Sequence, residues 1–153
     1  MKKLIMMLIS AIYAFSAVTK VYITSDSFEA DENKHQTIFT GSVNIKKLQD
    51  NIRANLAVVD FDKENKPIKY KAEDSVTFTI VLKNSILDGS CDELVYVPNS
   101  KNYILTGHVK INETPTNRKI QATKVIIDTN INKINIFGEK NRPVKFIFEV
   151  EDK

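Results

Sequence analysis

Polar and apolar residues alternate along much of this chain, which is the pattern of β-strands that bury one face and expose the other to water. In the segment VTFTIVLK, positions 76–83, one face carries Val76, Phe78, Ile80 and Leu82. The segment PVKFIFEVE, positions 143–151, alternates in the same way. These segments predict strands of a sheet with one buried face.

Short turn signals separate the alternating segments. Clusters rich in Asp, Asn, Gly and Pro occur at 31–34, 62–67, 88–90, 97–102, 112–117 and 138–143. Each of these residue types favours turns, and no segment keeps a helical period over three turns. The sequence therefore predicts an all-β chain of about ten to fourteen short strands.

The chain also repeats itself with an offset of 66 positions. IFTGSVNI, positions 38–45, matches ILTGHVKI, positions 104–111. After a loop that differs by two residues, IRANLAVVD (52–60) matches IQATKVIID (120–128), and PIKYKA (67–72) matches KINIFG (133–138). A unit of short strands cannot bury one face alone, so we predict two similar strand units that share one core.

Both units carry a glycine in the middle of a predicted strand, Gly41 and Gly107. Glycine weakens a strand interior and usually marks a bulge, a bend or the close approach of another backbone. At the same place in each unit, it predicts a sheet that bends sharply and folds over on itself. The expected result is a two-layer β structure with apolar residues between the layers.

The N-terminus has the composition of a secretory signal peptide. Residues 1–17, MKKLIMMLISAIYAFSA, begin with lysines, continue with an apolar run and end in small residues, which is the order of such a leader. A spanning helix needs about 20 apolar residues, and Thr19 and Lys20 arrive before that length. We therefore divide the chain into a cleaved signal peptide, 1–17, and one folded domain, 18–153; an uncleaved membrane anchor is the alternative.

The composition of the folded domain argues against several classes of protein. Removing Lys2 and Lys3 leaves 20 basic against 19 acidic residues, so the basic surface that attracts nucleic acid is missing. Cys91 is the one cysteine, which excludes an internal disulfide, and we expect it to be a small buried hydrophobe. His35 and His108 belong to no cluster with metal-ligand spacing, and the known motifs of nucleophilic catalysis and phosphate binding are missing. An enzyme, a cofactor and a metal site are therefore not expected.

The repeated pattern resembles a known family. An Asp-containing strand and an Asn-containing turn precede Thr-Gly-x-Val-x-Ile, and an Ile-x-Ala strand follows. This order resembles the OstA-like domain and, more narrowly, the LptA family of periplasmic lipopolysaccharide-transport bridge proteins. The resemblance covers about Val21 to Val150, and Lys124 departs from it by interrupting the apolar face of the second Ile-x-Ala strand. It implies an OstA-like fold, a twisted open β-jellyroll of two antiparallel layers, and a location in the periplasm.

The resemblance also implies a function. Members of the family hold the lipid A acyl chains of lipopolysaccharide in an apolar groove, and they stack head to tail between inner-membrane and outer-membrane transport proteins. A twelve-carbon chain gains about 10 kcal/mol when it is buried, so a lipid needs such a groove to cross an aqueous compartment. The candidate groove residues are the inward positions of the alternation: Phe39, Val43, Ile45, Ile52, Leu56, Phe78, Ile80, Leu105, Val109, Ile111, Ile134, Ile136, Phe146 and Phe148.

An open sheet has two unpaired edge strands, which a protein must either protect or use. The candidate edge residues are Val21 and Ile23 in the N-terminal strand, and Val144, Phe146, Phe148 and Val150 in the C-terminal strand. A contact between two unlike edges need not produce a closed ring, and copies that join in this way then make an open filament. We therefore expect head-to-tail self-association through these two edges.

Two other functions fit the same pattern. A structural β-repeat or assembly module would have the same strands around a sealed core and would bind no ligand. The membrane-anchored member of the same transport system would share the fold and keep its N-terminus. The alternation alone does not distinguish a groove from a closed core.

Overall fold

The computed structural model of the protein describes residues 18–152, so the predicted signal peptide, 1–17, lies outside the described residues. Ten β-strands make up the regular structure of this part of the chain, which confirms the all-β prediction. Their bounds are β1 (Val21–Thr24), β2 (Ser27–Asp31), β3 (Gln36–Lys47), β4 (Asp50–Phe61), β5 (Pro67–Val81), β6 (Ile86–Val97), β7 (Asn102–Thr114), β8 (Arg118–Asp128), β9 (Lys133–Phe137) and β10 (Lys145–Ile147).

All ten strands belong to one antiparallel sheet. The long strands β3 to β8 pair in chain order, β1 and β2 both pair with β3, and β9 and β10 both pair with β8. The first two strands do not pair with the last two, so the sheet is open and has an edge at each end. We call these the N-terminal edge (β1 and β2) and the C-terminal edge (β9 and β10).

A line of β-bulges crosses the sheet at mid-strand. The register shifts lie between Thr40 and Val43, Arg53 and Leu56, Glu73 and Val76, Ser90 and Glu93, and Thr106 and Val109. A bulge bends its strand and increases the local twist, and strands bent in this way pass from one layer to another. Each long strand therefore contributes one half to each of two facing layers.

The bulge line defines the layers. Layer 1 consists of β2, β9 and the half-strands 36–40, 56–61, 67–73, 93–97, 102–106 and 124–128. Layer 2 consists of β1, β10 and the half-strands 43–47, 50–54, 76–81, 86–91, 109–114 and 118–122. The layers join at the bulges and face each other, and the opposite side, where the turns of both layers meet, is called the mouth. This arrangement confirms the predicted open jellyroll.

The glycines that the sequence repeats lie in this bulge line. Gly41 has φ +80° and Gly107 has φ +76°, a region of backbone space that favours glycine. A Cβ atom at either position would also collide with a carboxylate, that of Asp26 or of Asp92 respectively. The bend predicted from the twin glycines is confirmed, and the contact explains why an aspartate recurs with each glycine.

The two predicted units are visible in the strand register. β1 and β2 pair with β3 in the same register in which the two halves of β6 pair with β7. The corresponding pairs are Val21 with Lys47 and Leu87 with Glu113, and Ser27 with Thr40 and Glu93 with Thr106. The gap between β1 and β2 therefore falls where β6 has its bulge. The predicted match of 67–72 with 133–138 is wrong by two positions. Tyr70 pairs with Val59 and Ile134 pairs with Ile127, so Tyr70 corresponds to Ile134 and not to Ile136.

Two further sequence predictions are wrong. The segment 88–90 is not a turn but part of β6, where Gly89 lies opposite Phe78 and Ile111. A Cβ atom at Gly89 would collide first with the Lys110 carbonyl oxygen of β7 and then with the Phe78 ring. The C-terminal strand does not run from Val144 to Val150, since β10 contains only Lys145–Ile147. It pairs with β8 on one side and has no strand on the other within the described residues, so little holds its ends in the sheet.

The core lies between the layers and draws on both of them. It includes Cys91, which is buried as predicted, and whose thiol donates a hydrogen bond to the Glu93 carbonyl at 3.3 Å. Burial, together with the nearby Asp92 and Glu93, raises the pKa of the Cys91 thiol to about 12. The cysteine is thus a neutral packing residue.

Candidate functional site

Two continuous rows of side chains line the inner faces of the layers from one edge of the sheet to the other. The first row, in layer 1, consists of Phe28, Phe39, Ala57, Ala72, Leu94, Leu105, Val125 and Ile136. The second row, in layer 2, consists of Ile23, Ile45, Ile52, Phe78, Gly89, Ile111, Ile120 and Phe146. Every member of both rows is apolar or glycine, so an apolar surface crosses the whole interior.

Most of the candidate groove residues lie on this inner surface. Eight are buried in the core: Val43, Ile45, Ile52, Phe78, Ile80, Leu105, Val109 and Ile111. Phe39, Ile134 and Ile136 are partly buried and pack against that core. Phe146 belongs to the second row but is exposed, and the ring of Phe148, beyond the end of β10, lies 5.8 Å from the Phe146 ring.

The inward placement of Leu56 is wrong. Leu56 lies opposite Thr40 and Glu73, whereas the next residue, Ala57, is buried in the first row. The register shift between Arg53 and Leu56 reverses the alternation along β4, since successive strand residues point to opposite faces. Leu56 therefore belongs to the outer face.

The interior is filled by the side chains of the protein. The cavity between the layers, next to the mouth, has a volume of about 10 Å³ and is lined from layer 2 by Val21, Ile45, Lys47, Asp50 and Ile52, and from layer 1 by Tyr70, Tyr96 and Tyr103. That volume is near the minimum that holds one water molecule. The two layers must therefore move apart before an acyl chain can lie between the rows.

Polar contacts between the layers hold the mouth closed. The Tyr103 hydroxyl donates a hydrogen bond to the Asp50 carboxylate at 2.7 Å, and the other carboxylate oxygen accepts one from the Val81 N–H at 2.8 Å. The Lys47 ammonium lies 4.5 Å from the centre of the Tyr96 ring, within the range of a cation–π interaction. We call these two contacts between layers, Tyr103 with Asp50 and Lys47 with Tyr96, the latch.

Burial keeps the latch tyrosine neutral. Desolvation, reinforced by the Asp50 carboxylate, raises the pKa of Tyr103 above its usual range. The Tyr96 ring lies between those of Tyr70 and Tyr103, with centroid distances of 6.1 and 4.7 Å. Sequence reasoning missed these residues because it followed only aliphatic and Phe positions, although the alternation that places Leu105 inward also places Tyr103 inward.

Outside the latch, the mouth opens into a cleft of about 910 Å³. Its lining combines both layers and the adjacent turns: Thr19, Val21, Lys47, Leu48, Gln49, Asp50, Pro67, Tyr70, Val81, Tyr96, Pro98, Lys101, Thr129 and Asn130. The cleft is therefore polar at its rim and aromatic where it meets the core. Such an order suits a molecule with a polar part and an apolar part.

The inner rows are uncovered at both edges of the sheet. Phe28, at the N-terminal edge, is 70% exposed, and Phe146, at the C-terminal edge, is 44% exposed. Large exposed apolar side chains in a contiguous row mark a surface that binds something. The two ends of the inner surface are thus its accessible parts.

The described residues hold no other arrangement that suggests chemistry. His108 is exposed, and its Nδ1 atom lies 2.8 Å from the Asp92 carboxylate beside the bulge at Gly107. Residues 18–152 contain no cluster of three or more His, Cys, Asp or Glu side chains that could bind a metal ion. The same residues also contain no helix with the length and apolar character that a membrane span requires.

Comparison with known proteins gives a consistent result. Residues 22–133 match the family model of the LptA/(LptD N-terminal domain) LPS transport protein. The fold is similar to the crystal structure of LptH, the LptA homologous periplasmic component of the conserved lipopolysaccharide transport device from Pseudomonas aeruginosa, with a TM-score of 0.72 and 13% sequence identity. That match covers 87% of this chain and 96% of the LptH chain. No curated protein sequence matches the chain.

Proposed function

Since the chain belongs to the LptA and LptD N-terminal domain family of lipopolysaccharide transport proteins, we propose that it shields the lipid A acyl chains of lipopolysaccharide between its two layers. In this proposal the signal peptide directs the protein to the periplasm. Copies join head to tail there and connect transport proteins of the inner and outer membranes. The family is one of transport proteins, and we propose no catalytic role.

The observation that carries this proposal is the continuity of the two apolar rows from edge to edge. An acyl chain that enters at one edge meets apolar side chains at each successive strand, so it can move without returning to water. Burial gains about 0.8 kcal/mol for each methylene group, and this gain is similar at every point along a uniform row. A lipid can therefore move along the rows without a large barrier.

The filled interior adds one requirement to the proposal. The layers are joined along the bulge line and held at the mouth by the latch, so we propose that they open like a hinge when lipid enters. The acyl chains then lie against the rows, and the polar head of the lipid occupies the cleft at the mouth. Phe28 and Phe146, which are exposed already, are the first contacts.

Photo-crosslinking tests this proposal. A photoreactive phenylalanine analogue replaces Phe28, Phe39 or Phe146 on the inner surface, and replaces Lys110 or Lys145 on the outer face as matched controls. We expect adducts with lipopolysaccharide from the inner positions alone. Equal labelling of both faces, or no labelling of either, contradicts the proposal.

A structural module that binds no ligand is the second candidate, and the small volume of the cavity between the layers, about 10 Å³, favours it. Such a module would yield no adduct at Phe28 or Phe146, and its stability would not change when lipopolysaccharide is added. A ligand that binds only the folded state must stabilise it, so a thermal denaturation series with increasing lipopolysaccharide separates the two candidates. The membrane-anchored member of the system is recognised by the intact mass of the exported protein, because it would retain residues 1–17.

A further inference from the structure

The chain contains a joint between its own two units, and we propose that two copies join in the register of that internal joint. This inference rests on the proposed head-to-tail assembly and adds to it the residues that meet. The internal joint is the antiparallel pairing of β5, which ends the first unit, with β6, which begins the second. Both strands of this joint have counterparts at the free edges.

The N-terminal edge is the counterpart of β6. β1 and β2 pair with β3 in the same register, shifted by 66 positions, in which β6 pairs with β7. Ile23 thus corresponds to Gly89, and Phe28 corresponds to Leu94. Leu94 is 1% exposed because β5 covers its strand, whereas Phe28 is 70% exposed because nothing in the described chain does so.

The C-terminal edge is the counterpart of β5. Phe146 pairs with Ile120 as Phe78 pairs with Ile52, so Phe146 corresponds to Phe78. Likewise, the register of β9 on β8 makes Ile136 the counterpart of Ala72. Phe78 is 4% exposed because β6 pairs beside its strand, whereas Phe146 is 44% exposed because no strand of the described chain pairs on that side of β10.

Transferring the internal register to the free edges gives a specific set of contacts. The internal pairs are Phe78 with Gly89, Thr79 with Asp88, Ala72 with Leu94 and Tyr70 with Tyr96. The corresponding contacts between copies are Phe146 with Ile23, Ile147 with Tyr22, Ile136 with Phe28 and Ile134 with Ala30. Both apolar rows then continue from one copy into the next without a break.

Charge on the outer face agrees with this register. Lys133 is adjacent to Ile134, and Asp31 is adjacent to Ala30, so the register places Lys133 of one copy opposite Asp31 of the next. The N-terminal edge carries Glu29 and Asp31, whereas the C-terminal edge carries Lys133 and Lys145. Asp31 already lies 3.8 Å from the Lys34 ammonium, so Lys133 of the next copy would be its second cationic partner. Opposite charges at directly facing positions stabilise a strand pair, and two like edges would repel.

One segment of the C-terminal edge has no counterpart in the internal joint, but it does not obstruct pairing with a second copy. Residues 138–144 replace the short bulge at Asp74 and Ser75. This loop lies back over the outer face of its own layer, where the Arg142 guanidinium is 3.4 Å from the Nε2 atom of His108. The inner rows and the free backbone of β10 therefore stay accessible to a second copy.

Disulfide trapping between exposed positions tests the register. In a Cys91→Ala background, a chain with Ile147→Cys is mixed with a tagged chain with Tyr22→Cys, and in parallel with one carrying Thr24→Cys. Facing residues of paired strands are within disulfide reach, whereas a shift of two residues along a strand adds about 7 Å. We expect the Tyr22→Cys pair to give at least ten times the yield of cross-linked dimer.

A charge reversal gives an independent measurement. Lys133→Glu removes an attraction and adds a repulsion, so we expect it to weaken self-association by about fivefold to tenfold, while Lys110→Glu on the outer face of β7 leaves it unchanged.

The outcomes separate the two levels of the proposal. Equal or greater trapping with Thr24→Cys, or equal effects of the two charge reversals, overturns the register while assembly stands. No trapping with either cysteine pair, together with a monomeric mass in sedimentation at all concentrations, removes the head-to-tail assembly itself.

Discussion

Replacing Tyr103 with phenylalanine tests whether the latch controls access to the interior. The substitution removes one hydroxyl, keeps the ring against Tyr96, and deletes the 2.7 Å hydrogen bond to Asp50 across the two layers. Asp50 keeps the hydrogen bond from the Val81 N–H and lines the open cleft at the mouth, so water can reach the carboxylate oxygen that loses its partner. The variant is therefore expected to fold.

The size of the effect follows from the bond that is lost. A hydrogen bond to a charged group contributes about 1.5–3 kcal/mol, and because water can replace it at the mouth we expect the lower end, about 1.5 kcal/mol. Every 1.4 kcal/mol is a tenfold change in an equilibrium constant. If opening breaks this bond, the open fraction rises about tenfold, and the apparent affinity for lipopolysaccharide rises by the same factor while the open state is rare.

Two assays measure these effects on the same variant. Urea denaturation gives the change in the free energy of unfolding, and fluorescence anisotropy with a labelled lipopolysaccharide gives the affinity. Tyr22→Phe is the matched control, since Tyr22 is 62% exposed, and we expect it to change neither quantity. A variant that loses stability as expected but binds lipid no better shows that the latch does not control access, and unchanged stability shows that the bond contributes nothing.

Alkaline pH provides a second test of the same bond. In the unfolded chain a tyrosine ionises near pH 10, whereas the pKa of Tyr103 in the folded protein is raised by burial and by Asp50. Above about pH 10 the unfolded state therefore binds fewer protons than the folded state, and stability falls as pH rises. This part of the fall should be missing in Tyr103→Phe and present in Tyr22→Phe.

Three other substitutions or measurements address the bulge line, the core and the edges. Gly107→Ala should lower stability by about 1–3 kcal/mol in urea denaturation, because φ is +76° and the added Cβ meets the Asp92 carboxylate; an effect below about 0.5 kcal/mol would contradict this account. Cys91 should resist iodoacetamide at pH 8 until the protein unfolds, since its pKa is raised to about 12, and stability should decline as pH rises from about 9, where an unfolded thiol ionises; rapid labelling of the native protein would show that the site is open. Phe28→Ser and Phe146→Ser should each reduce self-association in sedimentation while leaving the melting temperature within a few degrees, because both side chains are exposed; a large loss of thermal stability would show that they belong to the core.

The strand content and the two-unit organisation could be predicted from the sequence because both depend on local patterns. The alternation at 76–83 requires only that strand residues point alternately to two faces, and β5 contains most of that segment as predicted. The bend at Gly41 and Gly107 was predictable for the same reason, since a glycine inside a strand usually marks a bulge or a bend. Residues that obey a local rule were placed correctly.

The errors arise where a local rule is interrupted by a contact between distant segments. Leu56 was placed inward because the alternation was extended through a bulge in β4 that carries no glycine. Gly89 was assigned to a turn because the Lys110 carbonyl oxygen and the Phe78 ring, which belong to the two neighbouring strands, are not apparent from the residues around it. The Tyr103–Asp50 bond joins positions 53 residues apart, and only the facing of the two layers brings them together.

The positions of the cross-layer contacts bear on how a filled interior can carry lipid. Besides the latch, the Lys83 N–H donates to the Asn132 side-chain oxygen at 3.2 Å, and this contact also joins turns of the two layers at the mouth. When an acyl chain enters, the apolar rows exchange contacts with each other for contacts with the lipid, so their own burial changes little while the lipid gains about 0.8 kcal/mol for each methylene group. The polar contacts at the mouth have no such replacement from an acyl chain. They, and the stiffness of the bulge line, therefore set the resistance to opening, and weakening any one of them should favour lipid binding more than enlarging the apolar interior would.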